Sequence, residues 1–136
     1  MRTFHIFNIN SDISNLLKDD TYPLYRSFKK IKTLNKNDLS IGINIYEQIA
    51  IPIEKEKVNK RLYNHYKESC FYTKYLSRHS YINKYRDEES ILKVSPSHMK
   101  LTTNMIYPEF FKYLKKNCHL FVCDFDNSDY FWLKDI

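Results

Sequence analysis

One glycine, Gly42, stands in this chain of 136 residues, where average usage of about 7% would place roughly nine. Loops that hold a pyrophosphate need several glycines, because a Cβ atom keeps backbone N–H groups away from the phosphates. The count therefore excludes Walker A loops, dinucleotide fingerprints and the acetyl-CoA loops of acetyltransferases. We expect the protein to use no cofactor.

The length and apolar content predict one domain that spans residues 1–136. Hydrophobic residues make up 43% of the chain and aromatic residues 16%, which is enough to build one core. No apolar run approaches the roughly 20 residues that cross a bilayer, and residues 1–10 lack the apolar stretch of a signal peptide. Three cysteines, an odd and low number, indicate a reducing compartment. We therefore expect a cytoplasmic protein without membrane contact.

Patterns of helices and of strands both occur, so the predicted class is α/β (α+β), with a mostly antiparallel central sheet flanked by helices. Apolar and aromatic runs predict strands over residues 3–9, 81–85, 90–94, 99–103, 118–125 and 129–133. Helical spacing predicts helices that start from a cap at Ser11 or Asp12, and over residues 24–31, 39–50, 54–68 and 107–116. Residues 69–80 fit neither pattern. Gly42 lies inside the third helix, where it costs about 1 kcal/mol relative to alanine.

The net charge of +6 is concentrated in residues 55–86, a strip with nine basic and two acidic residues. The strip also holds seven aromatic residues: Tyr63, Tyr66, Phe71, Tyr72, Tyr75, Tyr81 and Tyr85. Cations that meet phosphates and rings that stack on bases are typical of a nucleic-acid surface. A solvated basic face over rings that pack the core, or a site for an acidic protein, explains the same strip. These alternatives stay open at this point.

A predicted strand that ends in Asp-x-Asp, at Asp124 and Asp126, is similar to the nucleophile motif of haloacid dehalogenases. That fold places its other catalytic parts after this strand, and only ten residues follow Asp126 here. A calcium loop over Asp124, Asp126 and Asp129 lacks the glycine of its sharp turn. We therefore expect a hairpin turn rich in Asp and Asn, without a catalytic or calcium site.

The spacing of His and Cys indicates neither a metal site nor a nucleophile. Cys118 and Cys123 lie five apart on a predicted strand and point to opposite faces, so they cannot chelate one ion. No zinc-ligand spacing connects the remaining candidates, His65, Cys70, His79 and His119. A Cys–His pair that forms only in space stays open. We expect no metal, no catalytic residue and no small-molecule substrate, and hence no enzyme.

Two helical patches offer candidate residues for binding a partner. The patches are Ile13, Leu16 and Leu17 on the first helix, and Ile45, Tyr46, Gln48 and Ile49 on the third. Apolar side chains that stay exposed mark interaction sites. Each patch is also explained as the inward stripe of an amphipathic helix, and the sequence pattern does not separate the two interpretations.

Three blocks near the C-terminus carry a resemblance to a known family. They are Leu-Lys-Lys at 114–116, Phe-x-x-Asp-Phe-Asp at 121–126 and Tyr-x-Trp-Leu at 130–133. The segments 24–28, 45–53 and 61–62 agree with the same pattern. On these residues the chain resembles the sporulation inhibitor of replication protein SirA family over nearly its whole length, least so at residues 70–106.

The resemblance implies a regulator that binds domain I of the replication initiator DnaA and restrains initiation by protein contact, without catalysis. It also implies a fold similar to N-acetyltransferases, although the single glycine excludes their acetyl-CoA loop. The family's partner-facing positions map to Ile13 and Leu17, and to Ile45 and Gln48. Some family aromatics are aliphatic here, which shifts an expected contact to Tyr46. The alternative function is a nucleic-acid-binding module that uses the strip of residues 55–86.

Overall fold

Seven antiparallel strands form one sheet in the computed structural model, which describes residues 1–136. The strands are β1 (Arg2–Asn8), β2 (Tyr72–Tyr75), β3 (Arg78–Asn83), β4 (Glu88–Val94), β5 (Met99–Thr103), β6 (Leu120–Asp124) and β7 (Asp129–Trp132). Their order across the sheet is β2-β3-β4-β5-β1-β6-β7. The N-terminal strand β1 therefore lies between β5 and β6, and it pairs with both.

Five helices flank the sheet: α1 (Ser11–Leu16), α2 (Tyr22–Thr33), α3 (Leu39–Ile49), α4 (Lys55–Tyr66) and α5 (Glu109–Leu114). α1, α2 and α3 pack on the face that carries Phe7, Phe121 and Trp132. α4 and α5 pack on the opposite face. The protein is thus a single small α+β domain with an antiparallel sheet, which confirms the predicted class. Its similarity to N-acetyltransferases stays a prediction.

The face under α4 and α5 holds the larger core, of seventeen buried residues. Side chains alternate between the two faces of a strand, so Phe4 and Ile6 of β1 both point into this core. Phe111 of α5 packs against Phe4 edge to face, with ring centroids 5.2 Å apart. Leu62 of α4 is buried in the same cluster. Burial of each such side chain contributes roughly 1.5–3 kcal/mol to folding.

The opposite face has a smaller core, of nine buried residues. Its centre is the stacked pair of Phe7 on β1 and Phe28 on α2, with ring centroids 3.8 Å apart. The cluster includes no residue of β2, β3, β4 or β5. On this face of those strands, Arg78, Lys93 and Lys100 are exposed and lie side by side in one cross-strand row. This half of the face is therefore open to solvent.

The single glycine lies where α3 passes close to the end of α2. A Cβ atom on Gly42 would lie 3.2 Å from Cδ1 of Leu34 and 3.8 Å from Cγ2 of Ile31. The φ angle of Gly42 is not positive, so its backbone conformation is one that other residues also adopt. The glycine therefore lies at a close approach of two helices and not in a turn that requires a positive φ angle.

Two predicted helix starts are wrong by one or two residues, because side chains outside the predicted helices provide the caps. Asn10, rather than Ser11 or Asp12, caps α1, since its side-chain oxygen accepts a hydrogen bond from the Asp12 N–H at 2.9 Å. α5 begins at Glu109 and not at residue 107. The buried Glu88 accepts the Glu109 N–H at 2.9 Å and so takes the place of a local cap.

Two predicted strands also differ in extent. Cys118 lies in a turn before β6, because the side-chain oxygen of Asn117 accepts the His119 N–H at 3.0 Å and bends the chain there. β6 begins at Leu120 and carries only Cys123, so the prediction that one strand carries both cysteines is wrong. The strand predicted over residues 81–85 is β3, which starts at Arg78. β2 lies within the segment 69–80, which showed no pattern.

Candidate protein-interaction site

The α1 patch combines anchored and exposed side chains. Ile13 and Leu17 are half-buried and pack against the nine-residue cluster. Leu16 projects away from it and is 75% exposed. Ser14 points inward, where its hydroxyl lies 3.2 Å from Nδ1 of His119. The helix is therefore fixed to the sheet by one side and presents a large apolar side chain on the other.

The α3 patch has the same two-sided character. Tyr46 and Ile49 pack against the nine-residue cluster, Ile45 is half-buried and Gln48 is exposed. The Tyr46 hydroxyl donates a hydrogen bond to the Ser97 carbonyl at 2.7 Å, which ties α3 to the loop before β5. Burial raises the pKa of the Tyr46 hydroxyl, so it remains a donor at neutral pH. This contact holds α3 in one orientation on the sheet.

The backbone joins the two patches at one point. The Asn10 N–H, immediately before α1, donates to the carbonyl of Ile49 at the end of α3, at 2.9 Å. Next to it, Ile9 and Ala50 form an isolated antiparallel bridge. The start of α1 therefore lies against the end of α3, and the predicted residues of both helices belong to one neighbourhood.

Three further exposed apolar residues on α3 lie outside the predicted set. Leu39, Ile41 and Ile43 are all exposed, and Ile51 follows the helix and is also exposed. Ile41 lies four residues before the half-buried Ile45 but is exposed, because the buried Gly42 is the residue that faces α2. The available signal was the composition of α3, which is apolar on nearly all sides. A surface helix of this kind leaves apolar side chains in water unless a partner covers them.

The basic strip of residues 55–86 does not form one continuous surface. Tyr66, Tyr72 and Tyr81 are buried in the larger core, so their rings cannot stack on bases. Lys57 of α4 pairs with Glu54 at 2.7 Å. Arg78 of β3 faces the opposite side of the sheet from α4. Packing rather than base stacking thus accounts for these three aromatics.

The Asp-rich segment forms a hairpin turn between β6 and β7. Asp124 is buried, and its carboxylate lies 3.0 Å from the Arg2 guanidinium and accepts two hydrogen bonds from Asn127. Burial raises the pKa of Asp124, but the hydrogen bonds from Asn127 and Arg2 outweigh it, so the net direction is downward. Asp126 is exposed and stands apart from this network. The arrangement stabilises a turn, as the sequence predicts.

Histidine and cysteine side chains are placed without a nucleophile or metal geometry. Cys123 lies opposite His5 in the β1–β6 register, but burial raises the pKa of its thiol and opposes thiolate formation. His79 is enclosed by Tyr72, whose hydroxyl lies 2.6 Å from Nδ1, and by Asn59, whose side-chain oxygen lies 2.8 Å from Nε2. No three His, Cys, Asp or Glu side chains are grouped as metal ligands.

None of the helices is long and apolar enough to cross a membrane. No curated protein gives a significant match to the sequence. One family model, described as sporulation inhibitor of replication protein SirA, matches residues 2–136, which is essentially the whole chain. The description is that of a regulator of replication. The chain therefore belongs to the sporulation inhibitor of replication protein SirA family.

Proposed function

We propose that the protein inhibits initiation of DNA replication by binding domain I of the initiator DnaA. The proposed contact surface, here called the α1–α3 surface, comprises Ile13, Leu16, Leu17, Ile45, Tyr46, Gln48 and Ile49. The family supports the replication role. The observation that carries the choice of surface is the exposure of apolar side chains on helices whose opposite sides are anchored to the sheet.

Anchoring matters for the strength of such a contact. Association costs free energy when side chains and loops become ordered, and a surface that is already fixed avoids part of that cost. Ile13, Leu17 and Ile49 contact the nine-residue cluster, so the backbone beneath the surface is set before a partner arrives. A transient interface buries about 800 Å² per partner or less, with apolar anchors at its centre and polar groups at its rim. Leu16 fits the first role and Gln48 the second.

The test compares two leucines of similar exposure in a binding titration with purified DnaA domain I. Leu16 is 75% exposed within the α1–α3 surface, and Leu76 is 71% exposed in the turn between β2 and β3. We expect Leu16→Glu to weaken binding by roughly tenfold or more, because a charge replaces an apolar side chain that the partner would bury. Leu76→Glu should leave the affinity unchanged.

Folding must be checked separately for the residues that also serve the core. Ile13→Glu and Leu17→Glu would place a charge against the nine-residue cluster, so they are expected to destabilise the fold as well as the contact. Leu16→Glu avoids that ambiguity because its side chain lies in water. The absence of a complex at tens of micromolar, with both proteins folded, would overturn the proposal.

A second function, nucleic-acid binding, has one favourable observation. Arg78, Lys93 and Lys100 lie in one cross-strand row on the open half of the sheet, and none of them pairs with an acidic group. Like charges placed side by side destabilise a sheet unless anions compensate them. A mobility shift at low salt tests this function, since phosphate contacts weaken steeply as salt rises. The triple change of these residues to Gln should remove any such shift.

A further inference from the structure

A groove lies between α2, α3 and the central strands, on the face opposite the larger core. Its volume is about 410 Å³, within the range of small-ligand pockets. Phe28 and Ile31 of α2 form one wall, Ile43 of α3 forms the other, and Phe7 of β1 lies at the floor. The buried Gly42 also lines the groove, next to Ile31 and Leu34.

Two histidines lie at the floor of the groove. Nδ1 of His5 and Nε2 of His98 are 3.2 Å apart, and Nδ1 of His98 lies 2.9 Å from the Ser97 hydroxyl. Burial lowers the pKa of His5 to about 4, with further lowering by His98, Lys32 and Lys100. Burial, followed by Lys100, also lowers the pKa of His98. Both rings are therefore neutral at pH 7 and offer hydrogen bonds without bringing a charge into the groove.

Lys32 lines the polar end of the groove, and Lys100 lies outside its lining, on the strand beside His5. Lys100 stands next to His5 in the β1–β5 register, and Lys32 lies with its ammonium 4.8 Å from the centre of the Phe125 ring. Neither lysine forms an ion pair. Asp126 is the acidic group that raises the pKa of His5, whereas Lys32 and Lys100 both lower it. The excess positive charge at one end of an apolar groove is complementary to a molecule with an apolar body and an anionic head.

We propose that this groove binds a small amphipathic carboxylate, with its hydrocarbon chain between α2 and α3 and its carboxylate beside Lys32, Lys100 and His5. The chain would cover Phe28, Ile31 and Ile43. The carboxylate would pair with the ammonium groups of the two lysines and accept a hydrogen bond from a neutral imidazole. This site is separate from the exposed residue Leu16 of the α1–α3 surface, although α3 contributes to both.

The single glycine provides a direct probe of occupancy. Protein labelled with ¹⁵N-glycine has one amide signal, that of Gly42, which lies in the wall of the groove. Titration with decanoate should shift this signal in a saturable way. Decyltrimethylammonium has a similar chain and the opposite charge. Its affinity should be roughly tenfold lower, because it loses the charge-assisted contact and is repelled by the two lysines.

Two matched pairs of variants test the walls and the charged end. Ile43 and Ile41 are 48% and 46% exposed on the same helix, but only Ile43 lines the groove. Lys100 and Lys93 are exposed cross-strand neighbours, and only Lys100 stands next to His5. We expect Ile43→Glu and Lys100→Gln each to weaken decanoate binding by roughly tenfold. Ile41→Glu and Lys93→Gln should leave it unchanged.

The possible outcomes separate this proposal from others. If the Gly42 signal does not shift at decanoate concentrations up to about 1 mM, the Kd is weaker than about 1 mM and the proposal is overturned. Equal binding of the cationic analogue would also overturn it, as would a Gly42 shift produced only by an acidic peptide, which would identify a protein partner. Leu16→Glu should not alter decanoate binding, so failure of the DnaA contact and failure of this site are distinguishable.

Discussion

The two faces of the sheet differ in how completely they are closed. The face under α4 and α5 buries seventeen residues, whereas the face under α1, α2 and α3 buries nine and leaves half of the sheet open. Exposed apolar side chains such as Leu16 and Ile43 belong to helices of the second face. Most of the stabilising apolar burial therefore lies on one side of the sheet, and the two surfaces that we propose for recognition lie on the other.

The histidines of the two faces show the same difference on a smaller scale. On the closed face, His79 has both ring nitrogens engaged, by Tyr72 and by Asn59. On the other face, His5 shares one contact with His98 and lies at the floor of a groove. A polar group whose partners are all internal stabilises one packing arrangement, whereas one at a groove can still accept a ligand.

The largest expected effect comes from truncating a side chain on the closed face. Phe111→Ala should lower the free energy of unfolding by about 3–5 kcal/mol, because it removes a buried ring and leaves a cavity beside Phe4. Urea unfolding with an unchanged m value measures this loss.

The matched change on the other face is Leu16→Ala, in the proposed α1–α3 surface. Its side chain is mostly in water, so the free energy of unfolding should change by no more than about 0.5 kcal/mol. A loss comparable to that of Phe111→Ala would show that α1 is part of the stabilising core, and the division between the two faces would be wrong.

A change of pH should also alter the free energy of unfolding, and its effect separates the two histidine environments. Burial, followed by the charge of Lys74, lowers the pKa of His79 from 6.5 to about 4. The folded protein therefore keeps His79 neutral while the unfolded chain takes up a proton below pH 6.5. The free energy of unfolding should fall as the pH falls from about 6.5 to about 4, and it should recover when the pH rises again.

Variants assign this pH dependence to its sources. His5 and His98 also have lowered pKa values and contribute with the same sign. His79→Gln should flatten part of the slope and reduce stability at neutral pH, because it disturbs a closed network. His5→Gln should flatten another part with little loss at neutral pH. Unfolding curves recorded between pH 4 and 7 that keep the full slope in both variants would contradict the assignment.

The sequence predicted the class and several strands well, for reasons that particular residues illustrate. β4 and β5 follow the expected alternation, since Leu92, Val94 and Leu101 face the core at every second position. The predicted bounds of β3 are wrong because two of its inward positions are His79 and Asn83. Their polarity obscures the alternation of apolar and polar residues that predicts a strand. A buried polar side chain becomes interpretable only when its partners from other elements are known.

The candidate site divides in the same way. The α1 and α3 candidates could be proposed from the sequence, because apolar side chains on short helices are visible in the sequence itself, and their role in binding stays a prediction. The groove was not, since His5 and His98 are 93 positions apart and their contact depends on strand register. The exposure of Ile41 and Ile43 was equally hidden, because helical spacing alone does not say which side of α3 faces α2.

A small stabilising effect is expected at Gly42, where α3 passes close to the end of α2. Gly42→Ala gains about 1 kcal/mol of helix propensity, and the new Cβ would lie 3.2 Å from Cδ1 of Leu34. That atom is the end of a flexible, partly exposed side chain, so it can move by a few tenths of an ångström. We expect a net stabilisation of about 0.5 kcal/mol in urea unfolding, since the relaxation of Leu34 offsets part of the gain. In a Leu34→Ala background, Gly42→Ala should give the full stabilisation of about 1 kcal/mol from helix propensity, because no Leu34 side chain has to move. A loss of stability in both backgrounds would show that the α2–α3 contact requires glycine for a reason other than the Leu34 side chain.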